Sequence, residues 1–184
     1  VLKKTNALLE GHFVLSSGLH SSNYVQCAKL LSQPKISKKF VNSLALKIKK
    51  KFKKIDLILS PAMGGVIIGY EIGRILHLET IFCERVNKIF TLRRGFSIKK
   101  NSKVLIVEDV ITTGKSSLEC VKLIKKFKAK LVGFACLIDR SNNKKIKNKI
   151  ISQVELNIPT YSEDNLPENL SSIKAVKPGS RNLE

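Results

Sequence analysis

Glu108 and Asp109 stand side by side at the end of an apolar run, Val104-Leu105-Ile106-Val107. Thr112, Thr113, Gly114, Lys115, Ser116 and Ser117 follow shortly after, and then the helical spacing of Leu118, Val121, Leu123, Ile124 and Phe127. Carboxylates can hold hydroxyls or face a developing positive charge. A turn of small hydroxyl residues around one glycine, opening a helix, presents N–H and O–H groups to an anion, most often phosphate. Together they suggest a ligand carrying both hydroxyls and phosphate, such as a phosphorylated sugar. The plain alternative, a polar strand end with threonines capping a helix, leaves the acid pair unexplained, because two adjacent like charges gain nothing structurally. Gly114-Lys115-Ser116 imitates the end of a nucleotide P-loop, but that motif needs a glycine where Asp109 stands.

Three further clusters carry candidate chemistry. Ser60-Pro61-Ala62-Met63-Gly64-Gly65 places adjacent glycines between an apolar run and a helix, where backbone amides can approach a ligand closely. Glu84-Arg85, with Asn87 and Lys88 just beyond, leads into Phe90-Thr91-Leu92-Arg93-Arg94-Gly95-Phe96. Read plainly, this is a hairpin with solvated arginines; beside a phosphate site it becomes a basic flap, since guanidinium forks onto phosphate oxygens. Asp139-Arg140-Ser141 closes the fourth apolar run.

These groups need a scaffold that brings strand ends together. Ile55 to Leu59, Thr80 to Cys83, Val104 to Val107 and Lys130 to Asp139 read as buried strands, with an edge strand over Ile150 to Leu156. Between them, helices are expected from Pro34 or Ser37 through Phe52 (apolar at Phe40, Val41, Leu44, Ala45 and Ile48), from Val66 to Leu76, and after Ser117. Alternation of this kind predicts an α/β fold, an open, mostly parallel sheet flanked by helices with right-handed crossovers, whose ligands lie at the carboxyl ends of the strands. Lys3 to Leu9 has short helical character. An apolar strand between Gly11 and Gly18 and another at Tyr24 to Cys27 predict a small N-terminal β arm.

The chain has 184 residues and is expected to form a single domain, 1–184. Its formal net charge is +20, from 34 Lys and Arg against 14 Asp and Glu. The excess lies mainly in lysine runs, Lys47 to Lys54, Lys122 to Lys130 and Lys144 to Lys149, not interleaved with aromatics, so a lysine-rich composition is favoured over a nucleic-acid surface. Either way, anionic substrates are attracted. Cys27, Cys83, Cys120 and Cys136 form no paired metal or disulfide motif. No apolar run spans a bilayer and no signal peptide is visible, which predicts a reducing cytoplasm.

Val104 to Ser116 resembles the phosphoribosyl-pyrophosphate signature of type I phosphoribosyltransferases. Gly11 to Ser21 (G-H-F-V-L-S-S-G-L-H-S), Tyr24 (Y-V-Q-C-A), Ser60 (S-P-A-M-G-G), Phe90 (F-T-L-R-R-G-F), Ile138 (I-D-R-S) and the closing K-P-G-S-R extend the resemblance over nearly the whole chain, to the orotate phosphoribosyltransferases. The resemblance implies transfer of a phosphoribosyl group from phosphoribosyl pyrophosphate (PRPP) to orotate, giving orotidine monophosphate and pyrophosphate in pyrimidine synthesis. It implies Glu108 and Asp109 at the ribose hydroxyls and the loop Val110, Ile111, Thr112, Thr113, Gly114, Lys115 and Ser116 at the 5-phosphate. Ala62, Met63, Gly64 and Gly65 would hold the pyrophosphate, Arg85 and Lys88 would form a mobile clamp, with Lys88 catalytic beside the two acids, and Thr112 and Arg140 would bind orotate. Residues 1–30 would form a hood over the base. The cofactor would be Mg²⁺ carried by PRPP, with no metal held tightly by side chains, and the assembly a homodimer with shared active sites. Two departures stand out. Ser16 and Met63-Gly64 occupy places where some members have lysines, and the segment from Arg85 to Thr91 is short, with Lys88 its only lysine. The rivals are a purine-type transferase, expected to stack its base on an aromatic and lack Arg140, and a non-catalytic RNA-binding regulator on the same fold.

Overall fold

The computed structural model describes residues 1–15, 17–141, 146 and 149–178. Ser16, most of the Lys144 to Lys149 run and the end of K-P-G-S-R lie outside them. The chain forms two compact units, residues 33–156 and residues 1–32 with 157–184.

The larger unit is built on a six-stranded sheet in the order β5-β4-β3-β6-β7-β8. The strands are β3 (Leu57–Pro61), β4 (Thr80–Val86), β5 (Ile89–Thr91), β6 (Lys103–Ile111), β7 (Lys130–Asp139) and β8 (Ile150–Glu155). All neighbours pair in parallel except β4 and β5, which form an antiparallel hairpin. The expected mostly parallel sheet is present. Between the polar residues at their ends its central strands are apolar because helices cover both faces, and Ile58, Leu59, Leu105 and Ile106 are fully buried.

Those helices are α2 (Pro34–Lys51), α3 (Gly64–Leu76) and α4 (Lys115–Lys126). Proline at the first turn of α2 suits a position whose N–H would have no helical partner. Val41, Leu44, Ala45 and Ile48 bury its inner stripe, as their spacing predicts, and Lys49, Lys50 and Lys51 close it at the end where positive charge is favourable. The expected β3 bounds are shifted. The strand begins at Leu57 and runs to Pro61, since Pro61 at the strand's last position pairs with Cys83 without interrupting the ladder.

Helix α3 begins at Gly64, two residues before the expected Val66, and approaches the sheet along a glycine stripe. A side-chain carbon on Gly65 would come within 2.9 Å of the Val107 carbonyl oxygen, one on Gly69 would run into the Ser60 hydroxyl, and one on Gly73 into the Thr80 hydroxyl. Gly65, Gly69 and Gly73 recur every fourth residue, so they share one helix face. That face meets β3, β4 and β6 at a distance no larger residue allows.

The smaller unit pairs β1 (Leu8–Val14) with β2 (His20–Val25), and β2 with β9 (Thr160–Tyr161), all antiparallel. Two expectations fail here. Lys3 to Leu9 forms turns that run into β1, and the second strand lies earlier than Tyr24 to Cys27 because α1 (Cys27–Leu31) claims Cys27. His12 Nδ1 donates to the Ile173 carbonyl at 2.8 Å and His12 Nε2 lies 2.6 Å from His20 Nδ1, tying the hairpin to a C-terminal stretch that includes the short α5 (Glu168–Ser171).

Candidate active site

β6 delivers its two acids to opposite faces of the sheet, as successive strand residues must be. Glu108 faces α4, where the Ser117 hydroxyl donates to its Oε1. Asp109 faces α3, where its carboxylate lies 2.6 Å from the point a side-chain carbon on Gly64 would occupy. Gly64 is therefore needed for room: it lets the N-terminus of α3 close on a carboxylate, where the helix dipole favours negative charge.

The two environments set different acidities. Burial raises Glu108 to about 7, the Ser117 bond opposes the rise, and the neighbouring Asp109 charge adds to it. Asp109 is also raised by burial, but backbone N–H bonds at Val110 and at Asp109 itself hold it down. Glu108 is 8% exposed and Asp109 half-buried.

Beyond the acids, Val110 and Ile111 still belong to β6, and Ile111 is buried in the core. Thr112 and Thr113 are exposed, Gly114 takes φ +72 to begin α4, and the backbone N–H of Lys115 donates to the Thr113 hydroxyl at 3.3 Å. The expected small-residue turn thus opens a twelve-residue helix, with the exposed Lys115 in its first turn. Ile111 pairs with Asp139, and the Arg140 N–H donates to the Ile111 carbonyl at 2.8 Å, so Thr112 and Arg140 leave adjacent strand ends together. Asp139, 4% exposed, accepts the Ser141 N–H at 2.7 Å and fixes the turn that carries Arg140.

The Ala62–Gly65 turn follows β3. Its Ala62 N–H donates to the Cys83 carbonyl at 2.8 Å, and the exposed Met63 precedes the first residue of α3. Next to it, β4 and β5 make a two-residue turn at Asn87 and Lys88, with φ of +49 and +67. That geometry matches the strand twist and gives a tight hairpin. The expected flap is therefore a short hairpin. Arg85 is engaged on three sides: its Nη2 lies 2.6 Å from Glu119 Oε2 on α4, its Nη1 donates to the Lys88 carbonyl at 2.7 Å, and its guanidinium stacks 4.0 Å from the Phe90 ring centre. On the same face Cys83 and Cys120 are buried with their sulfurs 3.5 Å apart and unbonded, and this contact and burial push the Cys120 thiol far up.

The sequence brought Glu108, Asp109, the Val110–Ser116 loop, Ala62–Gly65, Arg85, Lys88 and Arg140 into consideration, and all lie at or just beyond strand carboxyl ends. It named Ser117 and Asp139 without the partner each holds and did not single out Glu119; these act on Glu108, Ser141 and Arg85 from elements whose register no local spacing reveals. The glycine stripe, a four-residue repeat, was not singled out either.

Residues 28–165 match the family model of the phosphoribosyl transferase domain. The chain is 46% identical to the orotate phosphoribosyltransferase of Rhizorhabdus wittichii over 181 residues, covering 97% of this chain and 92% of that one. It is 46% identical over 183 residues to that of Parvibaculum lavamentivorans, covering 98% and 94%. Among solved structures, orotate phosphoribosyltransferase from Aeropyrum pernix is similar with TM-score 0.72 and 23% identity over 84% of this chain and 91% of that one. Adenine phosphoribosyltransferase from Thermoanaerobacter pseudethanolicus is similar with TM-score 0.62 and 18% identity over 73% and 88%. Similarity at those identities speaks for the fold, which purine and pyrimidine enzymes share.

Proposed function

The chain belongs to the phosphoribosyl transferase family, and from that premise we infer that it transfers the phosphoribosyl group of PRPP to orotate, giving orotidine 5'-monophosphate and diphosphate in pyrimidine biosynthesis. The observation that carries this reading is 46% identity along 97% of the chain to an enzyme of that activity. The geometry agrees: an acid pair, a helix-opening phosphate turn and an arginine at the neighbouring strand end occur in one place.

In this reaction the anomeric C–O bond to the diphosphate breaks, a ring nitrogen of orotate bonds to the same carbon, and the sugar carries positive charge in between. Asp109 and the second oxygen of Glu108 hold the ribose hydroxyls and face that charge. The turn from Val110 to Ser116 receives the 5-phosphate at the N-terminus of α4. Ala62, Met63, Gly64 and Gly65 present backbone to the diphosphate, Lys88 stands at the hairpin tip, and Arg85 exchanges Glu119 for the leaving group. Thr112 and Arg140 hold orotate, Arg140 by forking onto its carboxylate. Residues 1–30 are assigned to the same transferase domain.

The site offers carboxylate and hydroxyl oxygens, a donor set that suits a hard cation, and among the described residues no group of three or more His, Cys, Asp or Glu gathers. Mg²⁺ fits such a site when the substrate's own oxygens complete its shell, beside Asp109 and Glu108. Bound with PRPP, it supplies charge neutralisation for the diphosphate. Activity is expected to vanish on chelation and return with Mg²⁺.

Met63, Ile67 and Tyr70 are 83%, 53% and 63% exposed along one side of α3. This apolar stripe supports a homodimer, in which the flap of one subunit completes the site of the other. Among the described residues no helix is long and apolar enough to cross a membrane. The unbonded Cys83–Cys120 pair supports a reducing, cytoplasmic setting.

The test has two arms. Orotate should be consumed with PRPP, and hypoxanthine should not; the reverse preference removes the orotate assignment. Mixing inactive Asp109→Asn with inactive Arg85→Ala subunits should restore turnover, whereas verified subunit exchange without recovery assigns each flap to its own subunit.

A further inference from the structure

Helix α4 and the β4–β5 hairpin enclose space that the reaction above does not use. Side chains alternate along β4: Arg85 and its cross-strand neighbour Phe90 turn to α4, whereas Glu84, with Arg93 and Arg94 beside it, belongs to the other face. Between the hairpin and the second half of α4 lies a cavity of about 520 Å³. Its walls are apolar: Phe90, Leu92 and Phe96 on one side, Leu123 and Phe127 on the other. That volume and lining are those of a small-molecule site, since gaps left by packing alone seldom exceed a water molecule.

Positive charge gathers at the rim. Lys122 and Lys126 line the cavity one helical turn apart, and both are exposed. Like charges at that spacing repel, and among the described residues no carboxylate pairs with either. Glu119, which also lines the cavity, is already taken by Arg85 at 2.6 Å. The space therefore combines an apolar floor with surplus positive charge.

This cavity is separate from the site already described. At the ordinary helical rise, Lys122 and Lys126 lie roughly 10 and 16 Å beyond Lys115, where the phosphate turn opens α4. The exposed stripe of Met63, Ile67 and Tyr70 is across the sheet, on α3.

We propose that the cavity is a second ligand site, for an amphipathic carboxylate whose apolar body fills the space between Phe90, Phe96 and Phe127 and whose head lies between Lys122 and Lys126. An enclosure this apolar favours a singly charged head, which costs less to desolvate than a phosphate dianion. Two ammonium groups on flexible stems can close on it without the fixed fork of a guanidinium. The site also reports to Arg85, whose guanidinium lies 4.0 Å from the centre of the Phe90 ring and whose partner Glu119 lines the same space. A ligand packed on Phe90 holds Arg85 in its paired state. This consequence rests on the transferase reading, in which Arg85 leaves Glu119 for the diphosphate. The bound carboxylate should raise the KM for PRPP about fivefold, the low end for coupled sites, and leave that for orotate unchanged.

The test uses the full chain in a calorimeter with two probes, naphthoate and decanoate, and with naphthylmethanol as the uncharged comparison. Saturable binding of naphthoate identifies a fused aromatic occupant and saturable binding of decanoate an acyl chain; either supports the site. Lys122→Gln/Lys126→Gln should melt and turn over like the wild type. It should weaken carboxylate binding about tenfold, the order expected for lost charge-assisted hydrogen bonds, towards the affinity of naphthylmethanol. Lys49→Gln/Lys50→Gln on α2 removes the same charge elsewhere and should leave binding unchanged. The site is overturned by no saturable binding of either carboxylate up to about 1 mM, by undiminished binding in the α4 variant, or by an equal loss in the α2 variant. An unchanged KM for PRPP at saturating carboxylate overturns the coupling to Arg85. Carboxylate binding by a chain that does not consume orotate keeps the site and removes the transferase reading.

Discussion

The two faces of the sheet meet at the same strand ends and handle charge in opposite ways. On the α4 face each group already has a partner: Glu108 has Ser117, Arg85 has Glu119 and Phe90, and Cys83 has Cys120. On the α3 face, Gly64 leaves Asp109 room at a helix N-terminus, and Glu84 is shared by two exposed arginines. One face can take up a polyanionic sugar as it stands; the other must exchange partners to do so. Adjacent residues of one strand, Glu108 and Asp109, thus acquire different properties from the helix each one faces.

The largest expected effect separates those acids by pH. Glu108 titrates near 7 in the fold and near 4.5 in the unfolded chain, so the folded state binds its proton more tightly. Its stabilising contribution is complete below about pH 4.5 and is lost as pH rises through 7. The span of about 2.5 units corresponds to at most about 3 kcal/mol. Glu108→Gln removes this dependence, so denaturant unfolding of the ligand-free variant should gain on the wild type between pH 5 and pH 8. A constant difference across that range would mean that Glu108 is not held as described.

The glycines of α3 sharpen the comparison next. Gly64→Ala places a carbon against the Asp109 carboxylate and should cost about tenfold in kcat/KM through misplacement, with little change in melting temperature. Gly69→Ala instead forces α3 away from Ser60 and should cost about 1–3 kcal/mol of stability. If both variants lost stability and activity alike, the distinction between a site glycine and a packing glycine would fail.

The smallest effect is on the matched face. Glu119→Gln releases Arg85, costing about 0.5 kcal/mol of stability for a partly exposed pair. It should tighten PRPP binding two- to threefold, measured by the KM for PRPP. Weaker binding would mean that Glu119 presents Arg85 to the substrate instead of restraining it.

How much of this was legible in the sequence follows the same division. β7 was readable to the residue, Lys130–Asp139, because a strand buried on both sides is a continuous apolar run. So were the acid pair and the glycine turn, whose chemistry is local. The N-terminal unit was read less well. Its strands mix histidine, serine and asparagine, and the five-residue α1 is too short for periodicity to show. Ser117, Glu119 and Asp139 were invisible as partners, because each acts on a residue brought near only by sheet register or helix packing. The short flap was noticed, but the turn at Asn87-Lys88 and the occupied state of Arg85 required the pairing of Val86 with Ile89.

The central claim is that the end of β6 is the centre of an orotate-specific transferase, and it is tested most directly by following orotate absorbance with PRPP and Mg²⁺ for the wild type and Asp109→Asn. The account predicts turnover by the wild type and a loss of about 100-fold in the variant, at an unchanged melting temperature. A folded Asp109→Asn chain that consumes orotate at the wild-type rate would contradict it.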